Sequence, residues 1–197
     1  MILVFKTLTR FKMRKKDIEF MRKGYKGKDS SRLALGLIKP KSKVLSAGCG
    51  PGRELEFLKK INCDVVAIDH DKEMIELSQE IEPRAKYVLG EIYEYEKPDS
   101  FDYIVCLFNT LDYLRSEKEV IMFLRKSYDN LKRGGKLIIT IGPKNWNLRR
   151  FFRAFFSFKY NRIGAQSYKK IMSWFGNLAF KINKVRIGDE LLVVARK

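Results

Sequence analysis

The sequence predicts a doubly wound α/β domain. Residues 44–52, Val-Leu-Ser-Ala-Gly-Cys-Gly-Pro-Gly, form an apolar strand that runs straight into a glycine-rich loop. Further short apolar runs follow, separated by helical or turn-rich sequence, and the last stretch of the chain reads as a β-hairpin.

Each element has its own signal. Gly48 and Gly50 reach backbone angles closed to other residues, and their missing side chains let a ligand lie against the main chain. A helix opening near Arg53-Glu54 then aims its first N–H groups at that point. Any tight strand-to-helix turn uses glycine in this way, so the loop alone does not establish a binding site. Seventeen residues after Gly52, Asp64-Val-Val-Ala-Ile-Asp69 reads as a buried strand ending in a carboxylate. An acid there either accepts the hydroxyl protons of a ribose or caps the next helix, Lys72 to Ile81. Asp71 suits the cap better, which leaves Asp69 for the ribose. Tyr87-Val-Leu-Gly-Glu91 is expected as a third strand and Ser100 to Asn109 as a fourth. Leu131-Lys-Arg-Gly-Gly-Lys-Leu-Ile-Ile-Thr140 supplies a helix end, a Gly-Gly turn and a fifth strand. Leu178 to Arg186, a Gly188-Asp189 turn and Glu190 to Arg196 complete a hairpin.

The glycine loop, Asp69, the Gly90-Glu91 pair, Phe101-Asp102 before the fourth strand and Gly134-Gly135 occur in an order that resembles the class I S-adenosylmethionine-dependent methyltransferases. The likeness is to the small single-domain, type-11-like group and covers roughly residues 25 to 197. A nicotinamide-binding domain lacks such a tail, and a dehydrogenase needs a second substrate domain for which 197 residues leave no room. The resemblance implies a Rossmann-like seven-stranded sheet, mostly parallel, with an antiparallel C-terminal hairpin strand. It implies S-adenosylmethionine as cofactor, with Gly48, Cys49, Gly50 and Gly52 along its methionine and ribose part. Asp69 would hold the ribose hydroxyls, His70 would lie beside the adenine, and Glu91 and Ile92 would contact the adenine. Leu107 and Asn109 would lie near the sulfonium and the incoming acceptor. Where an acceptor needs a base, Asp112 and Tyr113 are the nearest candidates, with helix capping and packing as their other reading. The family usually carries an acid where this chain has Ser46, so the cofactor's ammonium is held less tightly or by another group. No Asn-Pro-Pro-Tyr or Asp-Pro-Pro-Tyr stretch follows the fourth strand, which argues against exocyclic amino groups of DNA bases as acceptors.

Composition sets outer bounds. With 45% hydrophobic residues and no repeat or low-complexity linker, residues 1–197 read as one domain: a basic N-terminal helical cap (1–43), a cofactor-binding core (44–141), a basic aromatic lid-like insertion (142–166), then the last helix and hairpin (167–197). Apolar runs such as Met1 to Phe5 fall far short of the roughly 18 residues of a membrane span and are too short for a signal-peptide core. Cys49, Cys63 and Cys106 lack metal-type spacing and read as reduced thiols of a cytoplasmic protein. His70 is the only histidine, which excludes a multi-histidine metal site and a conventional triad elsewhere.

The net charge of +18 is unevenly spread. Residues 1–43 hold 14 Lys/Arg against 3 acids, residues 44–141 hold 14 against 18, and residues 142–197 hold 13 against 2. Both flanks are therefore basic around a mildly acidic core, which suits an anionic partner. A generally basic, lysine-rich surface, as in a thermophile, is the plainer reading. Within the second flank, Phe151, Phe152, Phe155, Phe156 and Phe158 share one side of a helix and Arg149, Arg150 and Arg153 the other. Three uses fit: a lid packed on the domain, a membrane-surface helix presenting a lipid-like acceptor, or aromatic stacking on RNA. The sequence thus points to methyl transfer, with a basic nucleic-acid- or membrane-binding module on the same fold, without turnover, as the other class of function.

Overall fold

The computed structural model describes residues 29–108, 110–142, 168–188 and 190–197. The expected basic cap before residue 29, the lid segment 143–166, Asn109 and Asp189 lie outside the described residues.

Helix α1 (Asp29–Gly36) leads into β1 (Lys43–Ala47), and the glycine loop joins β1 to α2 (Arg53–Lys60). There follow β2 (Asp64–Asp69), α3 (Lys72–Ile81), β3 (Lys86–Leu89), β4 (Phe101–Cys106), a single 3-10 turn (Thr110–Tyr113), α4 (Glu117–Asn130), β5 (Leu131–Ile141), α5 (Tyr168–Gly176), β6 (Lys181–Ile187) and β7 (Glu190–Arg196). The strands form one seven-stranded sheet in the order β3-β2-β1-β4-β5-β7-β6. Strands β1 to β5 are parallel, and β7 runs antiparallel to both β5 and β6. The chain winds outward from β1 through β2 to β3, then returns to start the other half at β4. The carboxyl ends of β1 and β4 therefore flank the topological switch point, where open α/β sheets bind their ligands.

Alternation along the strands buries both faces. Leu45, Ala47, Val66, Ile68, Ile104 and Cys106 pack with Val120, Phe123 and Leu124 of α4 and Ile171, Trp174 and Phe175 of α5. Val44, Val65, Ala67, Tyr103 and Val105 face the other way, against Ala34 and Leu35 of α1, Leu55 and Leu58 of α2 and Ile75 of α3. Ser46, two residues on from Val44, shares this second face. Among the described residues no helix is long and apolar enough to cross a membrane.

Four boundaries differ from the sequence expectation, among them the first hairpin arm, which is β6 at Lys181–Ile187 and not Leu178 to Arg186 because Ala179 just before it turns left-handed at φ 57°. Strand β3 spans 86–89 and not 87–91, although the Gly90 N–H still donates to the Asp69 carbonyl at 2.9 Å. Strand β4 stops at Cys106 and not Asn109, because Phe108 turns into the left-handed region at φ 56°. Gly134-Gly135 is not a helix-to-strand turn. Leu131 already pairs with Phe101, and the register then jumps so that Tyr103 faces Lys136. The glycines take up the extra length inside β5: Gly134 has φ 80°, and a Cβ on Gly135 would lie 2.9 Å from the Lys132 carbonyl oxygen.

Candidate cofactor-binding site

The loop between β1 and α2 is held by its own backbone. Gly48 and Cys49 N–H both donate to the Ile68 carbonyl, at 2.8 and 3.0 Å, and Gly52 N–H donates to the Cys49 carbonyl at 3.0 Å. Gly50 N–H donates to Oδ2 of Asp69 at 2.8 Å. These four amides fix the loop's shape, and those of Gly48, Cys49 and Gly50 tie the end of β1 to the end of β2.

The three glycines answer to different neighbours. All have positive φ, at 75°, 49° and 82° for Gly48, Gly50 and Gly52. A Cβ on Gly48 would lie 2.2 Å from Thr110 Cγ2, and one on Gly52 would lie 3.1 Å from the Ser78 backbone in α3. Those two positions are closed by the protein itself. At Gly50 an added Cβ would meet nothing within 4 Å, so here the main chain borders open space. This is the feature a ligand lying against the backbone requires.

Asp69, 7% exposed at the end of β2, accepts from Gly50 N–H with one oxygen and from Asp71 N–H with the other, at 3.0 Å. Burial raises its pKa above the usual carboxylate value, against the pull of those two amides. Each oxygen keeps a lone pair for a further donor, such as a ribose hydroxyl. Asp71 is the cap of α3 that its sequence position suggests, accepting from Glu73 N–H at 2.8 Å. The exposed His70 imidazole lies 3.6 Å from Asp69.

The remaining expected residues distribute around this clamp. Cys49 is buried in the second core, its sulfur 3.7 Å from Ser78 Oγ, and burial pushes its thiol pKa up, so it is neutral and not a nucleophile. Glu91 is half-buried just beyond β3, while Ile92 packs into the first core. Leu107 is buried just past the end of β4. Tyr113 ends the 3-10 turn with an exposed ring, and the side chain of Asp112, like Asn109, lies outside what the structure describes.

Three further groups belong to the site and carried no sequence signal of their own as parts of it. Thr110 packs on Gly48 and donates to the Leu107 carbonyl at 2.8 Å. The Arg53 guanidinium stacks 4.7 Å from the centroid of Phe108, joining the start of α2 to the end of β4 across the switch point. Glu54, in the first turn of α2, is buried and receives a hydrogen bond from Ser46 Oγ. A shallow depression lined by Cys63, Asp64, Glu82 and Arg84 lies at the amino end of β2, the wrong end of a parallel strand for this kind of ligand.

Known proteins resemble this chain in its core sequence and in its fold. Residues 44–135 match the family model described as a methyltransferase domain. The chain is 30% identical over 118 residues to a carboxy-S-adenosyl-L-methionine synthase of Shewanella piezotolerans, covering 55% of this chain and 47% of that protein. It thus spans about half the length of the curated relative it matches. Among solved structures, a TehB-like SAM-dependent methyltransferase from Corynebacterium glutamicum is similar at TM-score 0.70 and 20% identity, over 92% of this chain and 94% of the other. The PH0226 protein from Pyrococcus horikoshii is similar at TM-score 0.71 and 17% identity, over 93% and 92%. A 1,6-didemethyltoxoflavin-N1-methyltransferase from Burkholderia thailandensis, solved with S-adenosylhomocysteine, is similar at TM-score 0.66 and 17% identity, over 92% and 84%. At these identities the structures speak to the fold. Sheet order and terminal hairpin agree with the fold of these S-adenosylmethionine-dependent methyltransferase structures, and residues 44–135 match a methyltransferase domain.

Proposed function

We propose that the chain binds S-adenosylmethionine at the carboxyl ends of β1, β2 and β4 and moves its methyl group to an anionic acceptor. The observation that carries the binding is the clamp between Gly50 and Asp69, 2.8 Å long, beside the open flank of Gly50. Gly48, Cys49, Gly50 and Gly52 shape the methionine and ribose end, and Asp69 turns its free lone pairs to the ribose hydroxyls. His70, Glu91 and Ile92 border the adenine, while Leu107 and Asn109 border the reacting end.

The cofactor's sulfonium supplies an already activated methyl group, so the protein's work is positioning for in-line displacement. Leu107 is buried just past the end of β4, and the Arg53 guanidinium stacks on Phe108 beside it. An acceptor whose proton must leave needs a base, and Asp112 or Tyr113 takes that role from the 3-10 turn.

An anionic acceptor is supported by charge: the two flanks hold 27 Lys/Arg against 5 acids, whereas residues 44–141 are net acidic. Replacing Arg149, Arg150 and Arg153 by glutamine should raise the acceptor KM several-fold with cofactor affinity unchanged, and added salt should mimic the substitutions. Incubating extract fractions with methyl-labelled cofactor identifies the acceptor. Cofactor binding without label transfer to any fraction would favour the non-catalytic module. The relative named as a carboxy-S-adenosyl-L-methionine synthase motivates a second reading, in which the cofactor itself is modified. Mass spectrometry of the cofactor after the same incubation separates that reading from methyl transfer.

A further inference from the structure

Strand β1 ends without the acid that the methyltransferases this chain resembles usually carry at position 46, yet a carboxylate is hydrogen-bonded to the residue that stands there. Ser46 is fully buried on the sheet face that packs on α2, and its hydroxyl donates to the Glu54 carboxylate. Serine Oγ occupies the place that the carboxyl carbon of an aspartate would take on the same backbone. An oxygen bonded to it therefore lies within a few ångströms of where that aspartate's charge would be. Glu54 is 3% exposed, and among the described residues Ser46 is its one side-chain partner and no lysine or arginine forms an ion pair with it.

We infer that Glu54, reaching back from α2 to Ser46, is the group that receives the ammonium of the cofactor's amino-acid end. The inference deepens the proposed function and rests on it. A buried carboxylate with a single neutral partner is costly, and a ligand cation offsets that cost. Of the charged groups that face Glu54, Arg53 on its own helix favours the charged form and Asp69 at the end of β2 opposes it, while Cys49 on the loop is neutral. Burial outweighs the rest and pushes the Glu54 pKa up to about 7. Glu54 is therefore largely protonated in the free protein just below neutrality, and an arriving ammonium displaces that proton.

The test uses two ligands that share the nucleoside but differ in the amino-acid end: S-adenosylhomocysteine, which has the ammonium, and methylthioadenosine, which lacks it. Glu54→Gln keeps a hydrogen-bonding partner for Ser46 but removes the charge. At pH 8 it should weaken S-adenosylhomocysteine about tenfold and leave methylthioadenosine unchanged. Ser46→Asp, added to that variant, should restore most of the loss. Calorimetry on the unaltered protein at pH 6.5, in buffers of differing ionisation enthalpy, does not depend on the variant folding. It should show proton release with S-adenosylhomocysteine and none with methylthioadenosine. Equal loss for both ligands, no loss for either, or the same proton count for both overturns the inference while leaving the cofactor site intact. Failure of the unaltered protein to bind either ligand removes the site itself, and the inference with it.

Discussion

The carboxyl ends of β1 and β2 each hold a buried carboxylate beneath one glycine loop, and the two are stabilised in opposite ways. Asp69 receives two backbone N–H bonds, of 2.8 and 3.0 Å, so fixed peptide dipoles support its charge. Glu54 receives one hydroxyl, and burial leaves it half protonated near neutral pH. The first is a structural clamp that also has lone pairs to offer. The second is a carboxyl group that burial keeps partly neutral. The two carboxylates thus differ in origin and in support: Asp69 ends its own strand and is held by backbone amides, whereas Glu54 reaches the end of β1 from α2 and is held by one hydroxyl.

The most severe way to break the comparison is to disturb the loop that both acids share. Gly48→Val places a branched side chain 2.2 Å from Thr110 at φ 75°, and should cost more than about 3 kcal/mol of stability, measured by urea unfolding. Gly50→Ala has open space and should cost only about 1–2 kcal/mol through its left-handed backbone, while impairing cofactor binding. Equal destabilisation of the two variants would mean that Gly50 is also packed against protein.

Asp69→Ala removes both clamp bonds, and about 2 kcal/mol of stability should go with them. Cofactor affinity should fall by a further 1–3 kcal/mol or so, a larger consequence than loss of ribose contacts with the loop undisturbed.

Glu54 gives the comparison a pH signature. Its folded pKa of about 7 lies above the ordinary carboxylate value, so the folded state binds more protons than the unfolded state between the two. Its contribution to stability is full below the ordinary value and is lost as pH rises through 7. Between pH 6 and pH 8 the loss should be about 1 kcal/mol, and Glu54→Gln should flatten it. Asp69, also raised, acts with the same sign in both proteins and cancels in the difference. The mildest change is Asp71→Ala, which removes the α3 cap at a cost of about 0.5–1 kcal/mol and should leave cofactor affinity at the parent value.

Most of the fold was legible because its signals are local. Apolar runs of strand length, the Asp71 cap and the Gly188 turn each depend on a few neighbouring residues, and the structure places them where the sequence does. Gly134-Gly135 is ambiguous in sequence because a bulge inside a strand and a turn before one look the same until the partner is known, here Phe101, thirty residues before Leu131. The site divided in the same way. Asp69 follows from the βαβ pattern, but its role as the loop's clamp depends on Gly50 arriving from another strand end. That Gly48 answers to Thr110, or that Phe108 turns left-handed under Arg53, depends on contacts between distant segments that no spacing rule encodes. Ser46 reads as a missing acid, and only the fold reveals that Glu54, eight residues on, brings a carboxylate to it.

The central claim is that the open flank of Gly50 beside Asp69 is a cofactor pocket, and isothermal titration with S-adenosylmethionine and S-adenosylhomocysteine tests it most directly. One saturable site is expected for each ligand, weakened at least tenfold in Asp69→Ala and unchanged in Asp71→Ala. Absence of binding by the unaltered protein, or an Asp69→Ala variant that folds and binds like the parent, would contradict it.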